Sequence, residues 1–235
     1  MSERCQWLPW DSAFFGCRIA RLEGDRLRAE EAEAVLAWCA RERIDCLYFL
    51  ANAACPETSA TAARHGFACI DLRVTYARPA GAPISASDPR VVVRPHRAAD
   101  LPALAGLARV AHTDSRFFFD RRFSQEKATL LFETWLRQAC AKDHVLVGEV
   151  EGRPAGYLLC EDAGRIGLLA VEPARRGQGV GSALLRGALA WFENQDVAEV
   201  RVVTQGRNVA AQRLYQHAGF RTQSVECWFH RWFTP

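Results

Sequence analysis

Three glycines, two arginines and the start of a helix carry the most legible chemistry in this chain. In Val171-Glu-Pro-Ala-Arg-Arg-Gly-Gln-Gly-Val-Gly-Ser-Ala-Leu-Leu185, an apolar run ends in a turn, and Gly177, Gly179 and Gly181 lead into an amphipathic stretch. Glycine lets the backbone approach a ligand closely. The first amides of a helix have no intrahelical partner and lie at its positive end. Arg175 and Arg176 add charge just before the turn. Together these features form a site for a phosphate or diphosphate. Two other phosphate loops fit poorly. A P-loop needs Lys followed by Ser or Thr after its last glycine, and none is present. The spacing Arg176-x-x-Gly179-x-Gly181 also differs from a dinucleotide fingerprint. The plainer alternative is a Gly-rich turn that only lets a helix pack on a strand.

The apolar pattern supplies the elements that must hold this turn. Val180, Ala183, Leu184, Gly187, Ala188 and Trp191 share one helical face after the glycines. Strands are expected at 144–150, 155–161 and 166–171, followed beyond the helix by a strand at 199–204, a helix at 209–217 and two closing strands. Upstream, a strand at 91–94 and helices at 99–111 and 125–141 begin this second segment. The Pro/Gly/Ser-rich stretch 79–89 reads as a linker. The first segment carries a helix at 30–43, a strand at 46–50, a short helix at 56–65 and a strand at 68–77. The division is then 1–78, a small partial α/β domain, 79–89, a linker, and 90–235, a mixed α/β domain. Ala63-Arg-His-Gly-Phe67 and Gln216-His-Ala-Gly-Phe220 each lead into a strand. That echo makes the first segment a partial copy of the later fold without its glycine loop, or else a chance recurrence of a common helix stop.

Composition narrows the classes. With 235 residues, 49% hydrophobic and 24% charged, the chain is globular and can bury a substantial core. A net charge of +3, spread along the sequence, gives no support for a nucleic-acid partner. The nine cysteines are an odd, scattered set with no Cys-x-x-Cys pair, which reads as free thiols in a reducing cytosol. The six histidines show no ligand spacing, so no metal is expected. No signal peptide or long apolar span is visible, and a soluble, cytoplasmic chain without a membrane partner is expected. The aromatic stretch 228–233 could pair as a strand with another subunit, giving a homodimer.

From about Arg90 onward, the order strand, two helices, three strands, Gly-rich helix, strand, helix and strands resembles the Gcn5-related N-acetyltransferase (GNAT) superfamily. Asn208-x-x-Ala211-x-x-x-Tyr215-x-x-x-Gly219-Phe220 fits a second landmark of that family. The resemblance implies an N-acetyltransferase fold preceded by a smaller partial copy, with acetyl-CoA as co-substrate. It implies a diphosphate contact from Arg176, Gly177, Gln178, Gly179, Val180, Gly181 and Ser182, and a pantetheine path along Leu169, Ala170 and Val171. Asn208 would help to hold the pantetheine arm, and Tyr215 would donate a proton to the departing thiolate. That last role is chemically sensible, because a phenol stays protonated where a thiol of pKa about 8.5 begins to ionise. A plain N-cap explains Asn208 equally well.

Leu8-Pro-Trp-Asp-Ser-Ala-Phe-Phe-Gly16 and His112-Thr-Asp-Ser-Arg-Phe-Phe-Phe-Asp120 are similar to segments of the nucleotide-sugar amine acetyltransferases in that superfamily. This implies a small-molecule acceptor, a dTDP-linked 4-amino-4,6-dideoxy sugar, met by Asp114, Ser115, Arg116 and Phe117. Such a loop offers a cation, carboxylates, hydroxyls and rings for a sugar. Trp10, Phe14 and Phe15 are expected to pack. Rival readings are transfer to a protein N-terminus, lysine or polyamine, or an acyl-CoA-binding module without chemistry. Glu149, Glu161, Asp162 and Asp114 are all candidates for the base, as is water, and the sequence does not choose among them.

Overall fold

The computed structural model describes residues 4–82, 90–142 and 144–233. The chain runs β1 (Cys5–Trp7), α1 (Pro9–Phe15), β2 (Ile19–Leu22), α2 (Ala29–Arg41), β3 (Cys46–Asn52), α3 (Pro56–Arg64) and β4 (Ala68–Pro79). It continues with β5 (Val92–Pro95), α4 (Leu101–Ala111), α5 (Arg116–Phe119), α6 (Gln125–Lys142), β6 (His144–Val150), β7 (Arg153–Glu161) and β8 (Arg165–Val171). Then follow α7 (Val180–Glu193), β9 (Glu199–Gln205), α8 (Val209–His217) and β10 (Arg221–Trp232). Of the expected linker, residues 83–89 lie outside the described residues, and Pro79 is still in strand. Among the described residues no helix is long and apolar enough to cross a membrane.

All ten strands join one mixed sheet, in the order β1-β2-β3-β10-β4-β9-β8-β7-β6-β5. Alternation along the strands sends side chains to two apolar layers. On β3, Leu47 and Phe49 pack with α2 and Phe67, whereas Tyr48 packs with Phe117, Phe123 and Leu131 of the opposite layer. The first face is completed by α7 and α8 around Leu184, Leu189, Phe192 and Phe220. Phe15 of α1, with α4 to α6, covers the second.

The centre of the sheet explains the internal echo. Phe67 N–H donates to Ala62 O and Gly66 N–H to Ala63 O, both at 3.0 Å; Phe220 N–H to Tyr215 O and Gly219 N–H to Gln216 O repeat this at 3.0 Å. Both helices therefore end in the same cap, and a strand leaves each at the same point. The units β3-α3-β4 and β9-α8-β10 match, and the last strand of each fills the gap in the other. This exchange gives the antiparallel run β3-β10-β4-β9. Strands from both sides of 79–89 thus share one sheet.

Two sequence expectations change here. The two closing strands are one strand of 12 residues, β10, which absorbs register shifts against β4 at Thr222/Ser224 and Trp228/Phe229 instead of breaking. Residues 228–230 pair with β3 on one side and β4 on the other, so that part of the aromatic stretch presents no strand edge to a second subunit, while Arg231 and Trp232 pair with β3 alone. The short elements β1, α1 and β2 carry too few periodic positions to be read from the sequence.

The exchange should make the sheet unfold as a unit. Phe229→Ala removes a buried ring stacked on Phe49 at 6.2 Å. The variant should lose about 3–5 kcal/mol and shift near- and far-ultraviolet circular dichroism melts together. Two separated melts would show that the halves are not coupled.

Candidate active site

The decisive geometry is a split in the sheet. β8 runs parallel to β9 for only two residue pairs, Arg165↔Arg201 and Ile166↔Val202. Opposite β7, the pairs Leu158↔Leu169 and Cys160↔Ile166 leave one extra residue on β8, a bulge at Gly167–Leu168. A bulge bends its strand and increases the local twist. β8 therefore turns away from β9, leaving backbone groups on both strands without a ladder partner. The wedge is a cavity of about 560 Å³ walled by 167–171 on one side and Val203, Thr204 and Gln205 on the other.

The glycine turn closes one end of the wedge, and its glycines have different tasks. Gly177 (φ 74°) and Gly179 (φ 81°) hold left-handed backbone, with Gly179 capping α7. A Cβ on Gly177 would meet nothing within 4 Å, so the turn is open to a ligand. Gly181 instead permits packing, since a Cβ there would lie 3.3 Å from Leu214 on α8. Beneath α7, Gly148 and Gly156 face each other across β6 and β7, and a Cβ on either would reach 3.1–3.2 Å from Val180 or Leu184. These bare strand positions let the first turn of α7 sit low on the sheet. The amides of Val180, Gly181 and Ser182, free of intrahelical partners, border the cavity.

Charge at this end comes from Arg176, which is exposed and lines the cavity. Arg175 also lines it but binds Glu151 at 2.7 Å. Gln178 departs from expectation. Its side chain donates to Ala174 O at 3.0 Å and its amide points to Arg175 O at 3.4 Å, so it is spent on the turn and does not line the cavity.

Asn208 and Tyr215 both reach the cavity from α8. Asn208 Oδ1 caps α8 by accepting from Ala211 N–H at 3.0 Å, so capping and cavity-lining coexist in one side chain. Tyr215 is 4% exposed, and burial pushes its phenol above the ordinary range. It is held by rings, with Tyr76 at 6.0 Å and Phe220 at 5.9 Å. Its hydroxyl makes no hydrogen bond among the described residues.

The expected acceptor loop is divided. Asp114 and Ser115 line the cavity. Phe117 faces the core instead, stacked on Phe15 at 5.2 Å and edge-on to Phe123 at 5.5 Å. Arg116, which lies outside the cavity lining, places its guanidinium 3.8 Å over Trp228 and 4.7 Å over Tyr48. One turn of helix, α5, causes the separation by pointing consecutive residues in different directions. Among the carboxylates, Glu149 is held by Arg94 at 2.8 Å, and Glu161 pairs with Arg165. Sequence reasoning missed His112, Phe132 and the β9 wall. His112 Nε2 and Tyr157 OH share a hydrogen bond of 2.8 Å, and the imidazole stacks on Phe132 at 4.6 Å. The only signal for the second wall was that a strand must follow α7.

A wedge between parallel strands that ends on a glycine-opened helix agrees with what the sequence comparisons find. The Acetyltransferase (GNAT) family model matches residues 107–220. An uncharacterized N-acetyltransferase of Archaeoglobus fulgidus is 30% identical over 138 residues, covering 53% of this chain and 91% of the relative. The chain belongs to the GNAT acetyltransferase family. It is accordingly an acyl-CoA-dependent N-acetyltransferase. The dTDP-fucosamine acetyltransferase of Escherichia coli O6:H1 is 28% identical over 236 residues, 95% of this chain and 96% of that one. The spore coat polysaccharide biosynthesis protein SpsD of Bacillus subtilis is 31% identical over 143 residues, 59% of this chain but only 50% of SpsD. A GCN5-related N-acetyltransferase from Sphaerobacter thermophilus shares the GNAT fold, with a TM-score of 0.72 at 18% identity over 98% of this chain and 76% of that one.

The buried histidine beside this GNAT cavity makes a testable contribution to acid sensitivity. Burial pushes His112 down to about 4 from its ordinary 6.5. The unfolded chain therefore takes up this proton first, and stability present above about pH 6.5 is lost as the pH falls toward 4. His230, held at about 4 chiefly by burial, adds to the same loss. The urea midpoint should fall between pH 7 and pH 5. His112→Gln, which cannot titrate, should reduce that fall, and an unchanged fall would exclude His112 as a contributor.

Proposed function

We propose that the chain transfers the acetyl group of acetyl-CoA directly to the amine of a dTDP-linked 4-amino-4,6-dideoxy sugar. The observation that carries this is the split between β8 and β9 ending on the bare amides of α7. The diphosphate of acetyl-CoA suits the N-terminus of α7, where Val180 to Ser182 offer N–H groups, Gly177 and Gly179 open the turn and Arg176 adds charge. The two amides of its pantetheine arm can pair with the free edge of β8 at Leu169, Ala170 and Val171, as an added strand would. Asn208 keeps its Nδ2 for the same arm while its Oδ1 caps α8.

The chemistry needs a neutral amine held in line with the thioester. The amine nitrogen attacks the acetyl carbon, the C–S bond breaks, and its electron pair leaves on sulfur. The proton shed by the amine passes to water or to a nearby carboxylate. Tyr215 donates a hydrogen bond to the sulfur as negative charge develops. Because burial holds the phenol above its ordinary range, it keeps its proton at neutral pH. Asp114 and Ser115 also border the cavity. The amino-sugar acceptor is supported by the full-length similarity to the Escherichia coli enzyme and by the Bacillus relative named for polysaccharide biosynthesis. We also read residues 1–78 as the partial copy and 90–235 as the acetyltransferase unit.

Tyr215→Phe should lower kcat about 100-fold or more with acetyl-CoA affinity nearly unchanged; normal turnover would remove the donor role. Gly179→Glu puts a charged side chain where backbone is left-handed and the diphosphate is expected. Its Kd for acetyl-CoA should rise by at least ~10-fold, about 1.4 kcal/mol, and a folded variant with wild-type affinity would refute the loop assignment. The acceptor is tested by thiol release from acetyl-CoA with dTDP-amino sugars, peptide N-termini and polyamines offered side by side.

A further inference from the structure

His112 caps the C-terminus of α4 and lines the acyl cavity with Ser115, Phe132 and Leu168. That cavity crosses the sheet: Val180, Leu214 and Tyr215 pack in the apolar layer on one face, and Ala111, Phe132 and Leu168 in the layer on the other. A second cavity of about 760 Å³ adjoins it at Gly167, Leu168 and Val203, but His112 is no part of that lining. An acyl carrier whose diphosphate sits at α7, and whose arm follows β8 back from Val171 to Leu169, brings its thioester toward Leu168 and this imidazole. The ring is held in place by its stack on Phe132, at 4.6 Å between centroids and 22° between planes.

Tyr157 decides which ring nitrogen carries the proton. The phenol is fully buried, and its hydroxyl has one hydrogen bond among the described residues, 2.8 Å to His112 Nε2. A neutral imidazole has one donor nitrogen and one acceptor. A proton on Nε2 would leave the phenol O–H in the core without an acceptor, which is costly. The phenol therefore donates to Nε2, and the ring proton lies on Nδ1. Burial keeps both groups in these forms, holding the imidazole down at about 4 and the phenol above its ordinary range. Nδ1 makes no hydrogen bond among the described residues and is not sealed in the core. The open edge of this cavity-lining ring is thus an N–H donor.

We propose that His112 is a further catalytic residue, whose Nδ1–H donates a hydrogen bond to the carbonyl oxygen of the bound thioester. As the amine nitrogen attacks the acetyl carbon, the C=O π pair moves onto oxygen. The N–H stabilises that charge without giving up its proton, and the pair returns as the C–S bond breaks. Tyr215 then acts at sulfur and His112 at oxygen, so the two donors meet different charges of one reaction. A neutral imidazole suits this role, because no proton has to be lost and regained in each turnover. The same protonation bars the open edge from taking the proton shed by the amine. This rests on the acetyl-CoA path proposed above and is independent of which amine accepts.

Three signals on the full chain test it. Nitrogen NMR of isotope-labelled imidazole should show His112 protonated at Nδ1 and bare at Nε2; the opposite tautomer in the wild-type chain would overturn the assignment. Infrared spectra of acetyl-CoA labelled at its carbonyl carbon should show the stretch lowered on binding to the wild-type chain. It should be lowered less in His112→Phe, which keeps a ring on Phe132. With whichever amine turns over in the acceptor comparison, this variant should lose roughly 100-fold in kcat, with acetyl-CoA affinity nearly unchanged. An equal infrared shift in wild type and variant, or wild-type kcat in the variant, would overturn the donor role while leaving the acetyl-CoA path intact. Failure of the wild-type chain to bind acetyl-CoA would overturn both.

Discussion

The architecture depends on one interruption of backbone hydrogen bonding. β8 and β9 stay paired for two residues and then part at a bulge. Buried peptide groups without partners are costly, so a split of this kind persists only where something else satisfies or solvates them. An extended, amide-bearing acyl carrier meets that need, since it supplies its own N–H and C=O groups. The same separation joins two cavities at Gly167, Leu168 and Val203.

Glycine positions tie the split to the helix that closes it. Gly148 and Gly156 form a bare patch on β6 and β7, and Val180 and Leu184 of α7 rest on it. Gly181 brings α7 against Leu214 of α8. Larger residues at these points would lift the amides of α7 away from the wedge. α8 is anchored in turn from below, where buried Arg78 donates to Ala218 O at the helix end and lies over Phe220 at 5.7 Å. Asn208 and Tyr215 therefore project from a helix whose two ends are both fixed.

Exchange of β4 and β10 gives the second cavity its far wall. β4 lies beside β9 because β10 occupies the place next to β3, and Arg73 and Thr75 of β4 thereby come to line the second cavity with Ser224 and Glu226 of β10. The first segment, which has no glycine loop of its own, contributes through this strand. The aromatic layer from Phe15, Phe117 and Phe123 serves a different end by seating α1 and α5 on the sheet. Phe117 belongs to that layer and not to the cavity wall.

What the sequence determined is local. Gly177, Gly179 and Gly181 ahead of an amphipathic stretch specify a helix that begins with open amides, and the spacing from Asn208 to Tyr215 keeps one residue at the cap and the other two turns along the same helix. These depend on φ, on periodicity and on caps, which neighbouring residues decide. Gln178 shows the limit, since a turn chooses which of its amides it consumes. The β9 wall, the bulge at Gly167 and the gathering of Arg73, Lys142, Arg165 and Arg201 could not be read, because each depends on strand pairing between distant parts of the chain. Strand order and register place those residues together, and only tertiary packing sets them.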